Sequence, residues 1–306
     1  MAVTHSHLLE GRRRGGAPSP ADPRAEEAAE RTLGFRDKRR RMLVIANPYA
    51  TTVSNRLKNL VVYALQGRYE VEAVETEAPD HATELSRQAA EEGVDVVTAF
   101  GGDGTINEVA NGLAGTAAAL AVLPGGSTNV FSRTLGVPND VVDATEHLLA
   151  LADRFEPRRI DLGRANGRYF LFASGVGIDA DVVRHVDRRP ELKARLRKHY
   201  FAWSTVRAFG RALASPPPQV RVEADGREAE GVTVVAQNSD PFTFYGSRPI
   251  RVAEGAGLTT GTISLAVLGR VSALDLPSLT PRFLSGRPSA LLRHRQLDGF
   301  EGVSSA

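Results

Sequence analysis

The feature that most constrains the fold is a glycine-rich turn between an apolar run and an amphipathic segment. Residues 94–99 are mostly apolar and lead into Phe100-Gly101-Gly102-Asp103-Gly104-Thr105-Ile106-Asn107-Glu108, after which helical spacing continues to Leu113. The three glycines can take positive φ and can let backbone N–H groups approach an anion. Thr105 is predicted to cap the new helix, and Glu108 is predicted to complete a capping box. The stretch therefore predicts a phosphate site at a helix N-terminus.

A second turn of the same kind follows the next apolar run. Residues 120–123 lead into Pro124-Gly125-Gly126-Ser127-Thr128-Asn129, and a helix is predicted to begin near Val130. One Gly-Gly pair is typical of any tight strand-to-helix turn. Two such turns after consecutive strands favour a shared ligand site, and we expect them side by side in one sheet.

Strands and helices alternate through the first half of the chain. Strand patterns at 42–46 and 69–76 are separated by a helical pattern at 56–66, and a second helix is predicted at 81–92. This alternation predicts an α/β fold with a parallel sheet. Ligands bind such sheets at the carboxyl ends of the strands. The residues that fall at this edge are Asn47, Thr76, Gly102 and Gly126.

The pattern changes after residue 156. Short strands are predicted at 158–162 and 169–173, and residues 174–180 are predicted to form a further glycine turn that enters a helix. Alternating apolar residues from 219 onwards predict an antiparallel β domain. The predicted division is thus a disordered basic tail at 1–41, a nucleotide-binding domain at 42–156 and a β-rich domain at 157–306.

Residues 192–214 form a long helical pattern in which basic residues alternate with aromatic ones. Such a helix suits a membrane surface. An ordinary amphipathic helix that covers the β domain is the alternative. From the residues alone, both interpretations stay open.

Composition excludes several classes of site. The 306-residue chain contains no cysteine, so it has neither disulfides nor cysteine metal ligands. No apolar run approaches the roughly 20 residues that span a bilayer, and the first residues lack an apolar signal core. The net charge is only +2, which argues weakly for any anionic partner.

The ordered series of motifs resembles the diacylglycerol kinase catalytic family, which includes bacterial lipid kinases and sphingosine and ceramide kinases. The resemblance covers about residues 42–268. Its motifs are Asn47-Pro48, the glycine stretch 101–105 with Asn107-Glu108, Asn111-Gly112, the turn 124–129 and Gly175-Val176-Gly177-Ile178-Asp179. It implies a two-domain fold, a nucleotide-binding α/β domain followed by a β sandwich, with ATP and Mg²⁺ in the cleft.

The resemblance also implies a set of nucleotide-binding residues. They comprise the loop after the first strand, the threonine after the second, and both glycine turns: Asn47, Pro48, Tyr49, Ala50, Thr51, Thr76, Gly101, Gly102, Asp103, Gly104, Thr105, Ile106, Asn107, Glu108, Gly126, Ser127, Thr128 and Asn129. Backbone donors, hydroxyls and a metal are what phosphoryl transfer requires. Asp103 is the predicted catalytic residue, and it either orients Mg²⁺ or accepts the proton of the lipid hydroxyl. Fixing its own turn is the structural alternative.

Two departures from the family pattern concern acids. The acidic segment that supports a metal in the family aligns with Gly257-Leu258-Thr259-Thr260-Gly261, where threonines replace aspartates. Threonine is a poor Mg²⁺ ligand beside carboxylate. The C-terminal Asp-Gly-Glu is matched only by Asp298-Gly299-Phe300-Glu301. Asp298 is an alternative general base, or the chain is expected to end before the strand that carries the acid.

The predicted function is therefore an ATP-dependent lipid kinase that acts on diacylglycerol or a related lipid. Its predicted partners are the lipid substrate, an anionic membrane surface and a second copy of the chain in a homodimer, but not nucleic acid. It is expected in the cytoplasm, peripheral to the inner face of the membrane. Two alternatives stay open: a non-catalytic nucleotide-binding pseudokinase, and an enzyme like NAD kinase, which shares a Gly-Gly-Asp-Gly loop.

Overall fold

The computed structural model describes residues 39–177, 219–270, 272 and 274–304. Most of the predicted tail lies outside these residues, and so does the predicted helix at 192–214. The first half of the chain forms alternating strands and helices: β1 Arg41–Ala46, α1 Asn55–Leu65, β2 Glu70–Glu75, α2 His81–Glu91, β3 Val96–Gly101, α3 Asp103–Leu113, β4 Ala119–Pro124, α4 Val130–Thr134 and α5 Val141–Ala152.

The four strands form a parallel sheet in the order β2-β1-β3-β4. The chain runs from β1 to β2, which pairs with one side of β1, and then to β3, which pairs with the other side of β1. The carboxyl ends of β1 and β3 therefore border the point where the strand order reverses, which is the usual ligand position in such sheets. Gly101 is level with Pro124 in the register of β3 and β4, so the two glycine turns begin side by side, as predicted.

Both faces of this sheet are buried under helices. Leu43 and Ile45 face one core cluster with residues of α2 and α3. Met42, Val44 and Ala46 face the opposite cluster with residues of α1 and α5. Because alternate residues of β1 enter different cores, the strand is apolar throughout, as is typical of a parallel sheet.

The second half is largely antiparallel, as predicted. Its elements are β5 Gly163–Ala165, β6 Arg168–Phe170, β7 Ala173–Gly177, β8 Val220–Ala224, β9 Arg227–Gly231, β10 Thr233–Gln237, β11 Thr243–Tyr245, β12 Arg248–Ile250, β13 Ile263–Leu268, α6 Leu276–Leu284, α7 Pro288–Leu292 and β14 Leu297–Val303. The main sheet has the order β14-β13-β10-β7. Three two-stranded sheets complete this half among the described residues.

Two local predictions in this half were wrong. Residues 158–162 are not a strand, because the first hairpin begins at Gly163. Residues 174–177 belong to β7 instead of a turn, and they pair with β10 along their length. Gly177 is needed there because a Cβ would lie 2.1 Å from the carbonyl oxygen of Val232. The predicted helix that follows lies outside the described residues.

The C-terminal segment was left open by the sequence. Residues 297–303 form β14, an edge strand of the main sheet that pairs with β13. Asp298 lies on this strand opposite Val267 and is exposed. The predicted boundary between residues 156 and 157 stays a prediction.

Candidate active site

The two glycine turns pack backbone against backbone. The N–H of Gly125 donates to the carbonyl oxygen of Gly101 at 2.8 Å. A Cβ on Gly125 would lie 2.8 Å from the Cα of Gly101, and a Cβ on Gly126 would lie 2.8 Å from the Cα of Gly102. No side chain fits between backbones at this separation.

Close packing, not positive φ, accounts for the glycines of these turns. Gly101, Gly102 and Gly104 do not have positive φ, and Gly102 has extended backbone at φ −86° and ψ −178°. The positive φ that glycine allows is therefore not used here. Glycine is required at 101, 125 and 126 by close approach, whereas a Cβ on Gly104 would meet no atom within 4 Å.

Asp103 connects the first turn to the helix after the second. Its Oδ2 accepts a hydrogen bond from the N–H of Val130, and its Oδ1 accepts one from the N–H of Phe131, both at 3.0 Å. The residue that precedes α4, Asn129, gives that helix no side-chain cap. Asp103 therefore acts as the N-terminal cap of α4 from a distant position in the chain. Asp103 therefore has a structural role beyond its own turn, and its catalytic role stays a prediction.

The predicted capping box was also wrong. The N-cap of α3 is Gly102, which has no side chain to cap with. Thr105 lies in the first turn of the helix, and its Oγ1 accepts from the Nδ2 of Asn47 at 3.0 Å. Glu108 instead accepts the N–H of Ala82, in the first turn of α2, at 3.3 Å. Both side chains connect α3 to neighbouring elements.

The loop after β1 reaches both glycine turns. The N–H of Asn47 donates to the carbonyl oxygen of Phe100 at 2.9 Å, and the N–H of Thr52 donates to that of Gly125 at 3.1 Å. The Oδ1 of Asn47 accepts the N–H of Tyr49 at 2.9 Å, which closes the loop on itself. The structure therefore brings together the three loops that the sequence assigned to one site.

The remaining residues of these loops differ in exposure. Pro48, Ala50 and Thr51 are half-buried, while Tyr49 is 78% exposed. Thr76 follows β2, is buried, and donates its N–H to the carbonyl oxygen of Ala46 at 2.9 Å. It therefore lies at the same sheet edge but is enclosed by protein.

Asn129 shapes the second turn from within. It has left-handed backbone at φ 51°, and its Oδ1 accepts the N–H of Gly126 at 2.8 Å. Its Nδ2 donates to the carbonyl oxygen of Gly126 and to the Oδ1 of Asn139. Ser127 and Thr128 are left at the surface of the turn. Within the described part of the chain, their hydroxyls make no hydrogen bond to protein.

The edge of the sheet can therefore bind phosphate through two kinds of donor. The N–H groups of the first turn of α3 have no acceptor within their own helix, since the first such bond runs from Ile106 to Gly102. The hydroxyls of Ser127 and Thr128 lie on the adjoining turn. The side chain of Ile106 is fully buried in the core, so only the backbone of this residue lies at the edge of the sheet.

Arg133 is a charged residue beside the site that the sequence reasoning missed. It lies on α4, and its guanidinium carbon is 3.6 Å from the centre of the Phe244 ring on β11. Burial lowers the pKa of this guanidinium group. The sequence could have indicated this residue, because an arginine one helical turn after Asn129 lies close to the second glycine turn. The sequence does not reveal that β11 lies beside it.

The residues fit Mg²⁺ only in part. Among the described residues, no three His, Asp or Glu side chains are grouped to hold a metal ion. Mg²⁺ in nucleotide sites is held by one or two carboxylates together with substrate phosphates. Asp103 is the one carboxylate at the glycine turns, so the edge fits a metal that arrives with the nucleotide.

The threonine segment does not fit a metal at all. The hydroxyl of Thr260 donates to the carbonyl oxygens of Gly257 and Thr262, at 3.0 and 3.1 Å. The N–H of Gly261 donates to the Oδ2 of Asp161 at 2.7 Å, and the N–H of Asp161 donates to the carbonyl oxygen of Leu258. This turn is closed by protein hydrogen bonds.

Comparison with known proteins identifies the family. The sequence model of the diacylglycerol kinase catalytic domain matches residues 41–165. A diacylglycerol kinase of Bacillus subtilis is 30% identical over 224 residues, which are 72% of this chain and 70% of that protein. The chain belongs to the diacylglycerol kinase catalytic family. This result supports a lipid kinase family over the NAD kinase alternative.

Other relatives agree with this assignment. A diacylglycerol kinase of Staphylococcus aureus is 34% identical over 137 residues, which are 44% of this chain and 42% of that protein. A crystal structure of a diacylglycerol kinase from Bacillus anthracis superposes with a TM-score of 0.60 at 25% identity, covering 85% of this chain and 83% of that one. The family's two-part fold, a parallel sheet followed by antiparallel strands, is therefore confirmed for this chain.

Proposed function

We propose that this protein transfers the γ-phosphoryl group of ATP to a hydroxyl of diacylglycerol or a related lipid at a membrane surface. The observation that carries the proposal is the junction of the two glycine turns, fastened by Asp103, at the edge where parallel sheets bind ligands. Family membership supports phosphoryl transfer as the reaction class.

In this proposal the first turn of α3 binds the phosphates through backbone N–H groups. Thr51, Ser127 and Thr128 supply hydroxyl donors from the adjoining loops. Mg²⁺ bound with the nucleotide supplies charge neutralisation on the transferred group. The protein's own contribution is a set of donors fixed before the substrate arrives, which is where most of the acceleration of phosphoryl transfer arises.

Asp103 is proposed as the residue that orients this assembly. Both of its oxygens already accept helix N–H groups, so the carboxylate is held in a fixed orientation. This favours orientation of the metal and nucleotide over proton acceptance. The exposed Asp298 on β14 stays the alternative base.

Membrane contact is proposed for the cytoplasmic side of the bilayer. The basic and aromatic residues between 192 and 214 support it, because such a segment binds anionic lipid surfaces. Within the described ranges, none of the helices is both long and apolar enough to cross a membrane. A homodimer stays a prediction that sedimentation would test.

The experiment measures Mg²⁺-dependent transfer of labelled γ-phosphate from ATP to a panel of lipids in mixed micelles. Wild type is compared with Asp103→Asn and Asp298→Asn. The matched control is Asp95→Asn, because the Asp95 carboxylate also accepts a backbone N–H, from Arg41 at 2.8 Å, at the opposite edge of the sheet. Product formed by wild type and Asp95→Asn but lost in Asp103→Asn is the expected result.

The second candidate is a nucleotide-binding pseudokinase, favoured by the structural engagement of both Asp103 oxygens. It predicts ATP binding without product for every lipid tested. Loss of product in Asp298→Asn alone would instead assign the base to β14 and restrict Asp103 to its structural role.

A further inference from the structure

Two asparagines of α3 hold the same stretch of backbone. Asn107 and Asn111 lie one turn apart, so their side chains share a face of the helix. The Nδ2 of Asn107 donates to the carbonyl oxygen of Tyr169 at 3.2 Å, and its Oδ1 accepts the N–H of Leu171 at 3.0 Å. Asn111 donates to the same Tyr169 oxygen at 2.9 Å and accepts the N–H of Tyr169 at 2.8 Å.

A third asparagine, at the end of β10, also holds this stretch. Asn238 follows β10 and is 1% exposed. Its Nδ2 donates to the carbonyl oxygens of Leu171 and Asp161, at 2.9 and 2.8 Å. Its N–H donates to the carbonyl oxygen of Phe172 at 2.8 Å. Residues 169–172 are therefore bonded by three asparagines, two on α3 and one after β10, which we call the amide clamp: Asn107, Asn111 and Asn238.

The chemistry of the clamp requires amides. The backbone at 169–171 presents both N–H and C=O groups, and only a side-chain amide offers a donor and an acceptor together in this shape. Aspartate at position 111 would still accept the N–H of Tyr169, but it would set a negative charge against two carbonyl oxygens, those of Tyr169 and Asn107. An aliphatic residue would leave buried polar groups unpaired, which is costly.

The position of the clamp connects the two halves of the fold. The helix α3 begins at Asp103, one turn before Asn107, and it forms the phosphate-binding edge. Residues 169–172 run directly into β7, which pairs with β10 in the antiparallel sheet. The clamp therefore joins the helix of the first glycine turn to the β7 and β10 side of that sheet.

We infer that the amide clamp consists of positioning residues, which fix the antiparallel sheet relative to the glycine turn and so align the lipid hydroxyl with the γ-phosphate. This inference rests on the proposed function. It assigns Asn107 to alignment instead of the nucleotide contact that the sequence predicted. Breaking the clamp leaves the phosphate donors of α3 intact, so nucleotide affinity is retained while transfer slows.

The test compares Asn107→Asp, Asn111→Asp and Asn238→Asp with Asn59→Asp, an exposed asparagine on α1 that controls for the added charge. The measurements are kcat, KM for ATP, the ATP dissociation constant, and hydrogen exchange of the Tyr169 and Leu171 amides. We expect kcat to fall by about 10-fold or more, since a misplacement of about 1 Å can cost about 100-fold. ATP affinity is expected to stay within about 3-fold, and exchange at both amides to accelerate.

Asn111→Ser provides a milder break if a charged variant fails to fold, and Asn111→Gln tests rescue by an amide of longer reach. A loss of ATP affinity in proportion to kcat would overturn the inference, and so would unchanged exchange at Tyr169 and Leu171. Absence of product from wild type with every lipid would contradict the proposed function. ATP affinity and amide exchange would then still decide whether the clamp is separate from the nucleotide site.

Discussion

The glycine turns of the parallel sheet and the threonine turn before β13 differ in whether their donors are already bonded to protein. At the glycine turns, the side chains of Asn47 and Asp103 bond to distant segments and hold the loops in place. The N–H groups at the start of α3 have no acceptor within their own helix and can bind a ligand. At the threonine turn, the hydroxyl of Thr260 donates to carbonyl oxygens of residues 257 and 262, and the N–H of Gly261 donates to Asp161, so these donors are already bonded to protein.

The largest expected effect comes from separating the two glycine turns. In Gly126→Ala the new Cβ would overlap the backbone of Gly102, so we expect the free energy of unfolding to fall by about 1–3 kcal/mol and ATP binding to be lost. Gly104→Ala is the matched control, because its Cβ meets no protein atom. Urea unfolding and ATP titration are the measurements.

The Gly104→Ala control separates the effect of packing on stability from the effect of a Cβ on the space for the ligand. Gly104→Ala should keep the free energy of unfolding or raise it by up to about 1 kcal/mol. A fall in ATP affinity at unchanged stability would indicate that the Cβ enters the space of the phosphates. Equal stability of Gly126→Ala and wild type would contradict the close packing of the turns.

We expect the threonine turn to bind no Mg²⁺ unless its threonines are replaced by carboxylates. Wild-type unfolding should not respond when Mg²⁺ is replaced by EDTA in the absence of nucleotide. The double variant Thr259→Asp/Thr260→Asp should gain a response, which reaches about 2.7 kcal/mol at a free Mg²⁺ concentration about 100 times the dissociation constant. The uncharged pair Thr259→Asn/Thr260→Asn controls for the change of shape, and a Mg²⁺ response in wild type would refute the prediction.

The cap that Asp103 provides should be measurable apart from activity. Asp103→Asn replaces one acceptor oxygen by a donor, so one of the N–H groups of α4 loses its partner. We expect the free energy of unfolding to fall by about 1 kcal/mol, the usual cost of losing a helix cap. Denaturant unfolding measures this, and stability equal to wild type would show that the cap contributes little.

The smallest effect concerns a carboxylate held by local contacts. Hydrogen bonds from the backbone N–H and hydroxyl of Ser272, together with Arg295, lower the pKa of the Asp275 carboxyl to about 2. A carboxyl whose pKa is lower in the folded state contributes stability above its unfolded pKa of about 3.9, and this stability is lost as the pH falls towards 2. Asp275→Asn should therefore flatten the decline of unfolding free energy between about pH 4 and pH 2.

Acid titration of both proteins, followed by circular dichroism, checks this expectation. An identical pH dependence in wild type and Asp275→Asn would indicate that the carboxyl of Asp275 has the same pKa in the folded and unfolded states. Because the carboxylate of Asp275 bonds to Ser272 and Arg295, neither of which belongs to the glycine turns, the variant should leave ATP binding unchanged. Asp275 differs in this respect from Asp103, whose hydrogen bonds join two loops of the site.

By itself, the sequence determined the alternation of strands and helices in the first half, the antiparallel second half and the adjacency of the two glycine turns. Hydrophobic periodicity and glycine placement are local properties, so they can be read from neighbouring residues. The tertiary structure decided which side chains meet. The sequence suggested that Thr105 and Glu108 cap their own helix, yet they bond to Asn47 and Ala82.

The same limit explains the other errors. The close approach that demands glycine at 125 and 126 comes from a backbone more than 20 positions away in the chain, and the partners of Asn107 and Asn111 are separated from them by more than 50. No local pattern encodes such distances. Segment 297–303 became a strand because β13 offered it a partner, which only the assembled sheet could provide.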